Sequence, residues 1–334
     1  MNEPILDRST ASACSDPACA GGGCGGGCAD GTDNMPLIPA QKLPDRREFL
    51  CSLLGCAAAA TAAGCSDLTH TSWFRHRFRE MSEQEKKDVI ADLERDFSKK
   101  YGKEVKVGVE PAREGVEFGY ALDISRCIGC RRCVYACVDE NNQSRDPQLH
   151  WIRVLEMDKE RGIDFERANP YYEADQVPRD GHFYLPVACQ HCENAPCVRS
   201  CPVGATWREE DGIVVIDYDW CIGCRCCMSA CPYGARHINL AEPTIPNEQM
   251  NPNTHYLGNR PRMRGVVEKC TWCIHRTRNG RYPACVEVCP VGARKFGNLL
   301  DPTSEVRDII EHKRVFVLKA ELNTRPRFFY FYGL

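Results

Sequence analysis

Cys221-Ile-Gly-Cys224-Arg-Cys226-Cys227-Met-Ser-Ala-Cys231-Pro232 decides how the rest of the chain is read. Its spacing, Cys-x2-Cys-x2-Cys-x3-Cys-Pro, is one with which thiolates hold [4Fe–4S] cubes. Cys221, Cys224 and Cys227 share a tight loop and reach three irons of one cube. Cys231 lies about one helical turn further on and faces away, toward a different cube. Pro232 suits the turn that leaves the ligand helix, because proline cannot continue a helical hydrogen-bond ladder. One such run implies a partner run, and the chain carries three more.

Motif one is Cys127-Ile-Gly-Cys130-Arg-Arg-Cys133-Val-Tyr-Ala-Cys137. Motif two is Cys189-Gln-His-Cys192-Glu-Asn-Ala-Pro-Cys197-Val-Arg-Ser-Cys201-Pro. The opening stretch is motif three. Motif four is Cys270-Thr-Trp-Cys273, then Cys285-Val-Glu-Val-Cys289-Pro290 after an interval. Each has four cysteines at ligand spacing, so the set matches four [4Fe–4S] clusters. Zinc also takes four thiolates in Cys-x2-Cys pairs. Three closely spaced cysteines with a fourth four residues later, in four such runs, is not a zinc pattern.

Two motifs end in Cys-Pro-Val-Gly-Ala, at 201–205 and 289–293, and a third in Cys231-Pro-Tyr-Gly-Ala235. Proline and glycine there predict a tight turn that lets backbone amides approach the sulfurs. Cys226 is the odd thiol. Cys224 and Cys227 already satisfy the spacing, so Cys226 reads as a small packing residue, the alternative being an exchange with Cys227 as ligand. His191 and His275 find no vacant iron and are expected beside sulfur or at the surface. Trp220 and Trp272 are expected to shield clusters from water rather than to carry electrons.

The chain has 334 residues, of which 24 are cysteine. In a short secreted chain that count would suggest disulfides, but these spacings are those of metal ligands. A hydrophobic share of 43% beside 27% charged residues indicates a folded protein. The formal net charge of −3 gives no sign of a nucleic-acid partner. Each oxidised cube with its thiolates would add about two negative charges. Arg131, Arg132, Arg225, Arg236, Arg276, Arg278 and Arg294 stand near cysteines in the sequence. Each reads equally well as a counter-charge or as a solvated surface residue.

Taken in order, residues 1–44 form a Gly/Ala-rich leader with Cys14, Cys19, Cys24 and Cys28. It lacks apolar periodicity and reads as flexible, a small metal site being the alternative. Residues 45–65 begin Asp45-Arg46-Arg47-Glu48-Phe49-Leu50 and continue uncharged to Gly64. Paired arginines before a modest apolar region predict a twin-arginine export signal and a periplasmic protein. That stretch is short and alanine-rich for a membrane helix; a short buried helix is the other reading. Export of an already folded chain suits clusters inserted in the cytoplasm. Ala62-Ala63-Gly64-Cys65 resembles a lipobox without its usual leucine, so lipidation of Cys65 and ordinary cleavage both stand.

Residues 66–119 are an extension with an amphipathic helix over Ser82–Lys100. Ser82 caps it, Glu85 completes a capping box, Val89, Leu93 and Phe97 form an apolar stripe, and Gly102 ends it. Residues 120–300 carry the clusters. Strand-like runs at Tyr120–Ile124, His182–Ala188 and Ile213–Tyr218 each deliver the chain to a cysteine loop, with a short helix to follow. The expected fold is α+β: tandem, duplicated ferredoxin-like halves binding four iron–sulfur clusters, with insertions at 138–181 and 238–266. Residues 301–334 read as a C-terminal strand and tail, with no span long enough to cross a bilayer.

The segments Cys127–Asn142, Leu185–Tyr233 and Glu268–Asn298 resemble the four-cluster iron–sulfur subunits of the dimethyl sulfoxide reductase family of complexes. Polysulfide, tetrathionate and formate-dependent nitrite reductase-type subunits are among them. The stretch from Val317 to Phe328 is similar to that family's C-terminus. The resemblance implies a line of four cubanes between a polytopic quinone-reactive membrane subunit and a second redox subunit, a molybdopterin oxidoreductase or multihaem cytochrome. It also implies that motif one pairs with four and motif two with three. Cys127, Cys130, Cys133 and Cys289 would then hold one cube, and Cys270, Cys273, Cys285 and Cys137 its neighbour. Cys221, Cys224, Cys227 and Cys201 would hold a third, and Cys189, Cys192, Cys197 and Cys231 the fourth. The cysteine-rich leader departs from the family's pattern, as does the absence of the C-terminal membrane helix some relatives carry.

The expected function is electron transfer without catalysis, since no pterin, flavin or nucleotide motif is present. Membrane association would come through a partner or a lipid on Cys65. An alternative is a quinol-oxidising or sulfur-metabolism complex without a molybdenum partner. A cluster-dependent enzyme would need an open iron, against which four complete quartets argue. A redox sensor is disfavoured by the export signal and the lack of a DNA-binding element.

Overall fold

The computed structural model describes residues 77–333. The cysteine-rich leader, the arginine pair and Cys65 lie outside them. The first helix, α1 (Glu83–Tyr101), starts at Ser82, whose Oγ accepts from the Glu85 N–H at 3.3 Å while Glu85 Oε2 accepts from the Ser82 N–H at 2.7 Å. That reciprocal cap satisfies donors the helix itself leaves orphaned. Gly102 ends it at φ 67°, a left-handed conformation that costs glycine nothing. Val89 is buried, with Ile90, Leu93 and Phe97 packed beside it on the core.

After β1 (Lys106–Gly108), β2 (Phe118–Asp123) leads into motif one and α2 (Arg132–Glu140). The strands β3 (Arg153–Asp158) and β4 (His182–Val187) lead to motif two and α3 (Pro196–Arg199). Next, β5 (Thr206–Arg208) and β6 (Val214–Ile216) lead to motif three and α4 (Cys226–Ser229). The second insertion carries β7 (His237–Ile238), β8 (Asn253–His255) and β9 (Val267–Glu268), and motif four carries α5 (Ile274–Thr277) and α6 (Ala284–Glu287). The chain closes with β10 (Arg294–Asn298), α7 (Glu305–His312), β11 (Val315–Phe316) and β12 (Phe328–Phe331).

A four-stranded sheet in the order β10-β2-β12-β11 backs the first and fourth motifs. Tyr120 of β2 lies opposite Phe296 in antiparallel β10 and opposite Phe328 in parallel β12. All of β2 is buried, as a strand covered on both faces requires. Its side chains alternate between two cores. Phe118, Tyr120 and Leu122 join the main core with the cysteines, while Ala121 joins Val306, Ile309 and Phe331 under α7. The C-terminal stretch is thus a helix and two strands woven into this sheet, more than a strand and tail.

Two-stranded sheets do the remaining work: β3 with β4, β5 with β6, β7 with β9, and β1 with β8. The last pair is parallel, Lys106 opposite Asn253, and stitches the N-terminal extension to the second insertion. The Val107 N–H adds a 2.9 Å bond to Glu94 of α1.

One arrangement occurs twice. Helix α2 of motif one packs on α6 of motif four, and α3 of motif two packs on α4 of motif three. Arg131 and Arg225 hold φ 55° and 63° immediately before α2 and α4. Gly204, Gly234 and Gly292 have φ 65°, 57° and 59°. The N–H of each donates at 3.3 Å to the carbonyl of the cysteine three residues earlier, Cys201, Cys231 and Cys289. The Cys-Pro-x-Gly turn is therefore built the same way three times.

Candidate metal centre

These loops and helix ends gather the motif cysteines into groups that cross the sequence. Cys127 lies beside Cys133 and Cys289, and these line a cavity with Cys130, Leu122 and Arg294. Cys137 is surrounded by Cys270, Cys273 and Cys285. Cys192 is surrounded by Cys189, Cys197 and Cys231. Cys227 neighbours Cys221, while Cys201 and Cys224 both neighbour Cys226. Among the described residues, no His, Cys, Asp or Glu cluster closes tightly enough for a single metal ion.

Neighbouring thiols also link one group to the next. Cys133 faces Cys285, Cys270 faces Cys189, and Cys197 faces Cys227. The groups therefore stand in file: the Cys127 group, the Cys270 group, the Cys189 group, then the Cys221 group. Burial changes along the file. In the two middle groups Cys137, Cys270, Cys273, Cys285, Cys189, Cys192 and Cys197 are buried and Cys231 is half-buried. In the end groups Cys127, Cys130, Cys133, Cys289, Cys201 and Cys221 are half-buried, Cys224 is exposed and only Cys227 is buried.

Desolvation disfavours the charged form of a buried thiol. It pushes Cys127 and Cys192 up to about 12 and Cys137 well above its ordinary value. Donors are nonetheless aimed at these sulfurs. Gln143 donates to Cys137 Sγ at 3.1 Å, Asn141 to Cys137 and Cys273 at 3.5 Å, and the Trp272 N–H to Cys270 at 3.4 Å. The Tyr120 hydroxyl lies 3.4 Å from Cys285. Thiols that are costly to ionise alone, yet ringed by donors, suit thiolate bound to an electron-poor metal, which draws the proton off.

Cations complete this environment, and the seven arginines separate. Arg294 donates to Cys133 Sγ at 3.1 Å and to the Tyr120 hydroxyl at 2.9 Å. Arg236 donates to Cys197 Sγ at 3.1 Å and to Thr206 at 3.0 Å. Burial opposes both charges, and the surrounding thiols outweigh it and hold both guanidiniums above their ordinary value. The others serve elsewhere. Arg276 pairs with Glu140 and Glu287, and Arg278 with Asp211 and Glu209. Arg131 lies 4.1 Å over the Tyr172 ring, while Arg132 and Arg225 are exposed.

Two residues depart from expectation. Cys226 is exposed, its thiol directed at the Cys224 carbonyl 3.9 Å away, so it is not a packing residue; the first turn of α4 turns its neighbour Cys227 inward instead. Lys269, for which the cysteine spacing held no signal, is fully buried and donates to the Cys270 carbonyl at 2.7 Å. His191 is buried between motifs two and four, accepting at Nδ1 from the Val214 N–H at 3.0 Å and stacked on Trp272 with ring centres 3.9 Å apart. His275 instead pairs with Glu140 at 2.7 Å. Trp220 is half-buried and bonds the Val203 carbonyl at 2.7 Å.

Comparison with known proteins agrees with this chemistry. Two families described as 4Fe-4S dicluster domains match, one over residues 126–205 and the other over 181–262 and 258–299. The chain is 38% identical over 250 residues to the Hdr-like menaquinol oxidoreductase iron-sulfur subunit 1 of Archaeoglobus fulgidus, covering 66% of this chain and 85% of that one. It is 33% identical over 304 residues to the B component of selenate reductase from Mesobacillus selenatarsenatis, covering 86% and 97%. With the B component of anaerobic dimethyl sulfoxide reductase from Escherichia coli it shares 35% over 219 residues, covering 63% and 92%.

Proposed function

The protein belongs to the iron–sulfur electron-transfer subunits of oxidoreductase complexes, the family that includes the B component of dimethyl sulfoxide reductase, and from this we propose that it is a four-centre wire. Its motif cysteines would hold four [4Fe–4S] clusters, two in each of two duplicated ferredoxin-like halves. The ligand sets are Cys127, Cys130, Cys133 with Cys289; Cys270, Cys273, Cys285 with Cys137; Cys189, Cys192, Cys197 with Cys231; and Cys221, Cys224, Cys227 with Cys201. When bound, such clusters take up and give off single electrons, with no bond made or broken.

The file of thiol groups, with its middle buried except at Cys231 and its ends open except at Cys227, is the observation that carries this reading. Buried centres exclude water, and half-exposed ends give partner subunits somewhere to deliver and collect electrons. The paired packing of α2 on α6 and α3 on α4 supports the two halves. Purified holoprotein should contain about sixteen iron and sixteen acid-labile sulfide atoms. Zinc in their place, or iron for only two clusters, would sink the proposal.

The partners on this reading are a polytopic quinone-reactive membrane subunit and a molybdopterin or multihaem redox subunit. Likeness to a menaquinol oxidoreductase subunit supports a second reading, a quinol-oxidising complex without molybdenum. Molybdenum and haem content of the co-purified complex separates the two. We further propose twin-arginine export to the periplasm, with membrane attachment through the partner or a lipid on Cys65. Arg46→Lys with Arg47→Lys should strand the chain in the cytoplasm; undiminished periplasmic delivery, measured by fractionation, would refute export by this route.

A further inference from the structure

Each step along the file of thiol groups contains one buried cation. Arg294 bonds Cys133 at 3.1 Å and faces Cys285 across the first step. Lys269 neighbours Cys270 as well as Cys189 and Cys197, at the second step, with Arg236 also near; burial lowers its pKa and the three thiols oppose that. Arg236 bonds Cys197 at 3.1 Å and faces Cys227 across the third. Their exposures are 5%, 0% and 3%, so water screens none of them. Among the described residues none has a carboxylate partner; their bonds go to thiols, hydroxyls and one carbonyl. Other buried arginines follow the ordinary rule and are paired, as Arg278 is with Asp211 at 2.9 Å.

Resting on the four-cluster reading, we propose that Arg294, Lys269 and Arg236 are junction charges, each shared by the two clusters it separates and each raising the reduction potential of both. In every transfer one cluster loses one electron and its neighbour gains it, with no proton or bond involved. The gain adds negative charge where thiolates are already crowded, and repels any electron waiting next door. A buried cation between the two offsets that repulsion from both sides, and with no carboxylate beside it its field is undiminished. A unit charge at about 10 Å through an effective dielectric constant of about 20 changes a reduction equilibrium roughly tenfold or more.

The test is a redox titration of the holoprotein followed by spectroscopy that resolves the four clusters, with iron measured on every sample. Lys269→Met should lower the potentials of the clusters of the Cys270 and Cys189 groups, each by about tenfold in equilibrium, or about 59 mV for one electron. The two end clusters should stay where they are. Arg294→Gln should lower the first and second, and Arg236→Gln the third and fourth. Arg294→Lys and Arg236→Lys keep the charge and should restore both members of each pair. Full iron with unmoved potentials overturns the proposal. So does a shift confined to the cluster of the bonded thiol that lysine fails to rescue, because that marks a hydrogen bond and not a shared charge. If a glutamine variant loses iron, its lysine counterpart decides: intact clusters at normal potentials support the charge, and iron loss there too overturns it. Absence of iron from the unaltered protein would instead sink the wire itself.

Discussion

Cys289 belongs to motif four by sequence, yet its thiol neighbours Cys127 of motif one. Cys285, one turn earlier on α6, neighbours Cys137 instead. The same division occurs on α2, where Cys133 faces one group and Cys137 the next. A single turn of helix is therefore the step from one thiol group to another. Cys289→Ser should perturb the same cluster signal as Cys130→Ser, and Cys137→Ser the same one as Cys273→Ser, in spectroscopy that resolves individual clusters. If Cys289→Ser altered the Cys273 signal, each motif would serve its own cluster and the cross-motif groups would be wrong. Spacing alone exposes the cysteines but not the charges that serve them. Arg236 and Arg294 each follow a Cys-Pro-x-Gly-Ala turn directly, a shared position that marks both, while Thr206 occupies the third. Lys269 carries no such mark, since a lysine in a polar stretch is ordinarily solvated. Cys226 shows the reverse failure: a small apolar thiol suggests burial, and only the left-handed Arg225 before α4 decides which of two adjacent cysteines turns inward.

At the scale of elements, legibility follows how local the deciding interaction is. Helix α1 is written in its own residues: Ser82 and Glu85 close the cap, Gly102 stops it, and a four-residue stripe supplies the buried face. The strands before motifs one, two and three are equally plain, because apolar runs ending at a cysteine loop have few other uses. The sheet partners are not. β12 runs parallel to β2 from the far end of the chain, and nothing in Phe328–Phe331 names that partner. The pairing of β1 with β8 joins the extension to an insertion whose prolines suggest only loop. Strands of two or three residues carry too little periodicity to be read, so β5, β7 and β9 depend on the motifs they flank. The grouping of motif one with four was implied by family resemblance alone; α2 packs on α6, and no local pattern encodes that contact.

At the scale of the molecule, much of the described core is built around the cysteine groups. Cys137, Cys189, Cys192, Cys197, Cys227, Cys270 and Cys285 are members of the main hydrophobic core. Most sheets have two strands, and four of the motif helices have only four residues, so regular structure alone supplies little cooperativity. The clusters would tie together motifs that lie far apart in the chain, as ligand sets drawn from both ends of it. They would also supply the negative charge that Arg236, Lys269 and Arg294 otherwise lack. A buried charge left without its partner costs roughly several kcal/mol, and three such charges together rival the roughly 5–15 kcal/mol that keeps an ordinary domain folded. Iron binding and folding should therefore be one event. Removing iron with a chelator under reducing, oxygen-free conditions should abolish the cooperative thermal transition seen by circular dichroism, and lowering the temperature alone should not restore it. Adding back iron and sulfide should. An iron-free chain that still melted cooperatively near the temperature of the holoprotein would mean that the protein core carries the fold by itself, and that the three cations are accommodated without the clusters.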